Sequence, residues 1–326
     1  MRAAAALTIA ALAAASCGLE LDPGGSAPPQ RTFTVGVAPS GTAAGAWRRA
    51  RDIPTPRSEV AAAVLRGVVF VIGGFGGPRA VESFVGDAWR RETDLPIGVD
   101  HAMAAASDVD QPGVYVFGGN SGGSPTARSF RFFSGAWSEL AAMPEPRSQG
   151  AAVFLGGRFY VFGGVTTSGR LAAGTLEYDP ATNAWRQRAA IPTPRDHLGG
   201  AVLGQRACAV GGRRLSLTTN LGTFECYDPS SDRWERLPDA PTARGGVGAA
   251  SLGTRIVLVG GEQPSGTYRE VEMYDAATNA WTRLADLPTP RHGIGVATVG
   301  RTVYVMTGGP TPGGSQTAVS EAIDLP

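Results

Sequence analysis

Three histidines and five arginines carry most of the chemistry this sequence can offer. His101, His197 and His292 are the only histidines, and two of them directly follow an aspartate, as Asp100-His101 and Asp196-His197. An imidazole beside a carboxylate can take up or release a proton near neutral pH. Here that chemistry would fall to His101, His197 or His292 working with Asp100, Glu59 or Asp196. Arg57, Arg147, Arg195, Arg244 and Arg291 each end a Pro-x-x-Arg segment. Guanidinium groups grip carboxylate and phosphate through two parallel hydrogen bonds. His197 and His292 fall within two residues of that arginine position. His101, 17 residues ahead of a Gly-Gly pair, reads as occupying the position itself. These eight residues are the candidate ligand-binding groups, a positive or titratable ring that favours carboxylate or phosphate. A second reading stays open: a recurring arginine can equally hold loop carbonyls, or pair with Glu59, Asp100 and Asp196.

The elements that must position these residues come from an internal repeat. Gly-Gly closes an apolar run at Gly73-Gly74, Gly118-Gly119, Gly163-Gly164, Gly211-Gly212, Gly260-Gly261 and Gly308-Gly309, every 45 to 49 residues. The six tryptophans, Trp47, Trp89, Trp137, Trp185, Trp234 and Trp281, keep a similar period. A fixed period of this length means one supersecondary unit copied in an array. Within a unit, short apolar and β-branched runs alternate with turn clusters, which predicts four strands and no helix. In the third unit these are a strand from Arg147 to Val153, then Phe159 to Phe162, then Thr175 to Asp179, then a strand bearing Trp185. Tyr178/Trp185, Tyr227/Trp234 and Tyr274/Trp281 flank the last turn and suit the widening gap between units, with each polar edge seeking a partner.

Paired glycines, then Tyr-Asp, then Trp about six residues later resemble the kelch repeat, over roughly residues 46 to 326. The resemblance implies an all-β, six-bladed β-propeller of four-stranded kelch blades. The last unit stops after a third strand near Glu321–Asp324, while the Trp47 strand has nothing before it. The simplest closure has the N-terminal strand complete the last blade, which removes exposed sheet edges. One face of the disk then carries tight turns. The other carries the d–a connections with the Pro-x-x-Arg segments, together with the longer b–c loops 120–128, 165–174, 213–222, 262–269 and 310–317. Binding residues are expected there, since variable loops on a rigid scaffold usually hold them.

The chain has 326 residues and a formal net charge of +1, so no general attraction to nucleic acid or anionic membrane is expected. Arg2 followed by the apolar stretch Ala3 to Ala15 reads as a signal peptide over residues 1–16, with residues 17–45 as a flexible tether. Ala14-Ala15-Ser16-Cys17 resembles a bacterial lipobox, which implies lipidation at Cys17, an exported envelope protein and membrane attachment through lipid alone. Cys208 and Cys226 read as two small buried thiols, with a cross-strand disulfide as the alternative.

Several chemistries find no motif. There is no Cys-x-x-Cys or His-Glu-x-x-His, so no metal site is expected, and no phosphate-loop lysine or Gly-x-Ser-x-Gly elbow is present. No cofactor is expected. The leading functional expectation is an exported, non-enzymatic binding module for a protein, peptide or glycan, possibly anionic. In the kelch adaptor domains this region resembles, arginines in some of these slots bind acidic peptides. The alternative is a carbohydrate-active enzyme resembling sialic acid mutarotase and acting on an acidic sugar, and a third reading is a structural envelope component.

Overall fold

A computed structural model describes residues 45–326. The proposed leader, Cys17 and nearly all of the tether lie outside the described residues. Six four-stranded antiparallel sheets follow one another along the chain, with no helix among the described residues. Blade 1 is Ala61–Leu65, Val68–Ile72, Val81–Val85 and Ala88–Arg91. Blades 2 to 5 begin at Met103, Ala151, Gly199 and Gly248. Blade 6 is Gly295–Val299, Thr302–Met306 and Ser320–Asp324, and its outermost strand is Arg48–Ala50. Arg48 opposes Ala322 and Ala50 opposes Ser320, so the N-terminal strand completes the last blade and closes a six-bladed propeller.

Burial follows strand position. The second strand of each blade is almost wholly buried, as in Val68–Ile72, whereas outermost strands such as Ala184–Arg188 are mostly exposed. Innermost strands alternate, as in Ala151–Leu155. Their small side chains (Ala62, Ala104, Ala152, Gly200, Ala249) line an axial channel segment of only about 110 Å³. Gly199 and Gly200 are required for close approach, because a Cβ there would lie 2.6 Å from the Ala249 Cβ and 2.7 Å from the Ala151 Cβ.

Every tryptophan staples its blade to the neighbouring d–a connection. Trp47 donates to Ala285 O, Trp89 to Arg51 O, Trp137 to Thr93 O, Trp185 to Ala141 O, Trp234 to Ala189 O and Trp281 to Pro238 O, all between 2.8 and 3.1 Å. The tyrosine hydroxyls act inside the blade. Tyr178, Tyr227 and Tyr274 donate to Asn183, Asp232 and Asn279, which fixes the last turn. The indole thus fills the gap between blades and pairs its one donor at the same time.

Three sequence expectations need correction. Cys208 and Cys226 are directly opposed on adjacent strands and form a disulfide rather than two free thiols; the strand register that decides this is not visible in the sequence. In blade 6 the Gly-Gly bend is made by Thr307-Gly308, not Gly308-Gly309. Thr307 (φ 54°) takes the first left-handed position and Gly308 the second. In blade 2 the arginine position holds Val99, not His101. Gly74 N–H donates to Val99 O, just as Gly119 N–H donates to Arg147 O. The turn Asp108–Pro112 is longer than its counterparts, so counting back from Gly-Gly falls short of the true slot.

Candidate functional site

The residue two positions after each arginine site builds the mouth of the channel. Glu59, His101, Gln149, His197, Gly246 and Gly293 come one from each blade, and all six have positive φ, between 52° and 70°. Their backbones are chained around the axis. His101 N–H donates to Glu59 O, Gln149 to His101, His197 to Gln149, Gly246 to His197 and Gly293 to Gly246, at 2.8 to 3.0 Å. Val60 N–H closes the ring on Gly293 O at 3.4 Å. The left-handed conformation turns each carbonyl toward the next blade, and its strain is offset by the closed hydrogen-bond cycle.

On this ring converge the three histidines and their carboxylates. His101 Nε2 lies 3.1 Å from Glu59 Oε2, and its Nδ1 lies 2.6 Å from Asp100 Oδ1. His292 Nδ1 lies 2.9 Å from Glu59 Oε1, and its Nε2 faces Thr311 O at 3.1 Å. Both nitrogens of each ring therefore face acceptors, which only a doubly protonated imidazolium satisfies. Burial alone would strip these protons. The Glu59 charge and the carboxylate hydrogen bonds outweigh it, pushing His101 up to about 9 and raising His292 as well. Burial likewise works against a charged Glu59, yet the His101 charge and the hydrogen bonds from His101 and His292 hold its carboxyl well below the usual range.

His197 differs. Its Nδ1 faces Asp196 Oδ1 at 2.5 Å, while its Nε2 meets Arg213 Nη2 at 2.9 Å. A guanidinium can only donate, so Nε2 accepts and the ring is neutral with its proton on Nδ1. Burial, together with the neighbouring His101 charge, lowers its proton affinity in agreement with that tautomer. Arg213 continues to Glu262 Oε1 at 2.7 Å, and Glu262 Oε2 reaches His292 Nδ1 at 3.5 Å. The first residues of the b–c loops, Asn120, Arg213 and Glu262, thus complete the cluster. Sequence reasoning missed them, although each occupies the same place immediately after Gly-Gly.

The arginines do not join this mouth. Arg57, Arg195, Arg244 and Arg291 are fully buried. Each is bonded to a buried third-strand glutamate, Glu82, Glu225, Glu272 or Glu321, at 2.6 to 2.8 Å. They also bond the carbonyls that end the second strand, as Arg195 does at Gly211 and Ala209. A threonine two residues earlier braces each glutamate, namely Thr55, Thr193, Thr242 and Thr289. A positive ring at the mouth is therefore not formed. Around the mouth, mostly buried, stand four carboxylates (Glu59, Asp100, Asp196, Glu262) against Arg213 and two imidazolium groups, and the cavity beside Glu59 and His101 is about 90 Å³.

Blade 3 breaks the pattern. Its third-strand Glu177 turns to Arg188 at 2.7 Å, and Glu145 stands where the other four arginine-bearing blades have threonine. Arg147 pairs instead with Glu145, which is 46% exposed, at 2.9 Å, and donates to Gly174 O. Arg147 is itself buried (1%), and its Nε, like those of Arg57 and Arg244, has no partner. Arg147 lies at the wall of a cavity of about 520 Å³ under the b–c loop, together with Glu145, Thr166, Ser168, Arg170 and Gln187.

Comparison with known proteins agrees with this architecture. A model described as the KLHDC2/KLHL20/DRC7 Kelch-repeats domain matches residues 88–240, and one described as the Kelch motif matches residues 243–288. The chain is built of kelch repeats. Among solved structures, the kelch chain is similar to one titled "Structure of YjhT", with a TM-score of 0.71 and 17% identity, covering 82% of this chain and 95% of that one. At that identity the likeness speaks for the fold alone. A search of curated proteins gave no significant match to the kelch chain.

Proposed function

We propose that this protein is an exported binding module that takes an anionic group of a peptide, protein or glycan on its loop face, at blade 3. The observation that carries the reading is Arg147. Four of the five repeated arginines are neutralised by buried glutamates and are closed to any ligand. Arg147 alone is held by a half-exposed carboxylate at the edge of a cavity, with Arg170 beside it. A ligand carboxylate can displace Glu145 and take up the charge-assisted contact that the other arginines make to their internal glutamates. The cavity, about 520 Å³, is of the size small-ligand sites have. Export and lipidation at Cys17 belong to the same proposal and rest on Arg2, the apolar run that follows it and Ala14-Ala15-Ser16-Cys17. An array of acidic peptides and acidic glycans, read at low and at high salt, tests the reading. Hits confined to anionic ligands and weakened by salt are expected, and uniformly neutral hits would contradict it.

A second reading has its own support in the convergence of His101, Glu59 and His292 at the channel mouth. An imidazole hydrogen-bonded to a carboxylate is a pair between which a proton can pass. In that reading the protein interconverts forms of an acidic sugar, as the resemblance to sialic acid mutarotase implies. The rate of anomer exchange in such a sugar, followed by NMR, decides it. Acceleration that is lost in His101→Gln supports the enzyme, and no acceleration by the unaltered protein removes it.

A further inference from the structure

The geometry points to a divalent transition-metal site at the channel mouth, formed by Glu59, His101 and His197. One ligand atom from each of these residues lies within 4.8 Å of the others. His101 Nε2 and Glu59 Oε2 are 3.1 Å apart. Two ligands at metal distances of about 2.0–2.1 Å and tetrahedral angles stand roughly 3.3 Å apart, so the donor spacing already fits an ion between them. Two nitrogens and one carboxylate oxygen make a donor set suited to zinc or ferrous iron, and the adjoining cavity of about 90 Å³ leaves an open position for water.

The remote nitrogens supply the second, independent observation. His101 Nδ1 is held by Asp100 and His197 Nδ1 by Asp196, both within one residue along the chain. A carboxylate on the far nitrogen fixes the tautomer that turns the Nε2 lone pair toward a metal and makes it more basic. The same Asp-His pair occurs on blades 2 and 4 but on no other blade, and both imidazoles border the one cavity with Glu59. Asp100 is itself braced by Asn120 and Asp196 by the Leu215 N–H, so each supporting carboxylate is fixed in turn.

Positive charge already occupies this place. A proton on His101 Nε2 faces Glu59, and Arg213 Nη2 covers His197 Nε2. A divalent ion would replace that proton and displace only the guanidinium contact to His197, since Arg213 keeps its bonds to Glu262 and Asp196. No motif in the sequence signals such a site, because the three ligands come from three blades. The inference is independent of anion binding at blade 3.

Calorimetric titration of chelator-treated full-length protein with Zn²⁺, supported by the visible spectrum of the Co²⁺ form, is the test. One ion per chain is expected, with a Co²⁺ spectrum of mixed nitrogen and oxygen ligation. His101→Ala should abolish binding, and Asp100→Asn, which keeps the fold and the imidazole, should weaken it about 10- to 100-fold. Arg213→Met, which removes the competing cation, should tighten it, an effect that a purely structural charge cluster would not give. Failure of the unaltered protein to bind Zn²⁺ stoichiometrically, or binding untouched by both His101→Ala and Asp100→Asn, would overturn the site.

Discussion

His101 is bonded to Glu59 twice: its backbone N–H donates to the Glu59 carbonyl at 2.9 Å, and its Nε2 lies 3.1 Å from Glu59 Oε2. One pair of residues thus links two blades and sets the charge at the centre of the disk. The main-chain bond belongs to the axial ring, and the side-chain bond belongs to the candidate site.

This pairing predicts a pH window for stability in the metal-free protein. His101 is raised from 6.5 to about 9 on folding, so its contribution is complete below 6.5 and is lost as pH climbs toward 9. Glu59 is depressed below its ordinary 4.5, so its contribution is present above that value and is lost as acid protonates it. Glu59, Asp100, His197 and the Phe75 ring all face His101 and share in the effect. Urea unfolding across pH, with chelator present, should show a plateau between these limits and lose about 3 kcal/mol on the alkaline side. His101→Gln should flatten the alkaline slope.

Removing a locked arginine should be costly. Arg195→Ala leaves Glu225 buried without its partner and frees the Gly211 and Ala209 carbonyls, so a loss of about 3–5 kcal/mol is expected. Arg147→Ala frees the Gly174 carbonyl but leaves Glu145 half-exposed and open to water, so it should cost less. Chemical denaturation of the two variants side by side checks the ordering.

Cys208 and Cys226 close a loop of sequence separation 18. A cross-link of that span stabilises by about 3 kcal/mol in the chain-entropy account. Peptide mapping of unreduced protein should recover the linked pair, and Cys208→Ala/Cys226→Ala should fall in thermal midpoint. An unreduced digest with both thiols free would contradict the pairing.

Radiolabelled palmitate should enter the protein in a bacterial host and be absent from Cys17→Ala, which should appear in the soluble fraction. Equal labelling of both proteins would place the lipid elsewhere.

Much of the propeller was legible because it is written several times. Trp47, with no Trp strand in the last unit, marks the closure that Arg48–Ala50 makes with Ser320–Ala322, and the b–c loops lie on the face that carries the site. The charged residues were harder to place. Arg57 and Arg291 look like ligand-binding groups in sequence because burial is a tertiary property, and their partners Glu82 and Glu321 lie 25 and 30 residues away. His101 is legible as a site residue but not its slot, since the long turn Asp108–Pro112 shifts the count. Arg213 and Glu262 were missed because single residues after Gly-Gly vary from blade to blade, and only closing the ring brings them together. The Asp-His pairs on blades 2 and 4 were visible in sequence, but that they meet at one cavity was not.

The measurement closest to the central claim compares two substitutions of the same repeated arginine. The tightest acidic ligand from the array is titrated calorimetrically into Arg147→Gln and Arg244→Gln, each first shown to be folded by circular dichroism. Anion capture at blade 3 predicts that Arg147→Gln loses at least tenfold in affinity while Arg244→Gln, whose guanidinium is sealed against Glu272, binds as the unaltered protein does. Unchanged binding by Arg147→Gln, or an equal loss in both, would contradict it.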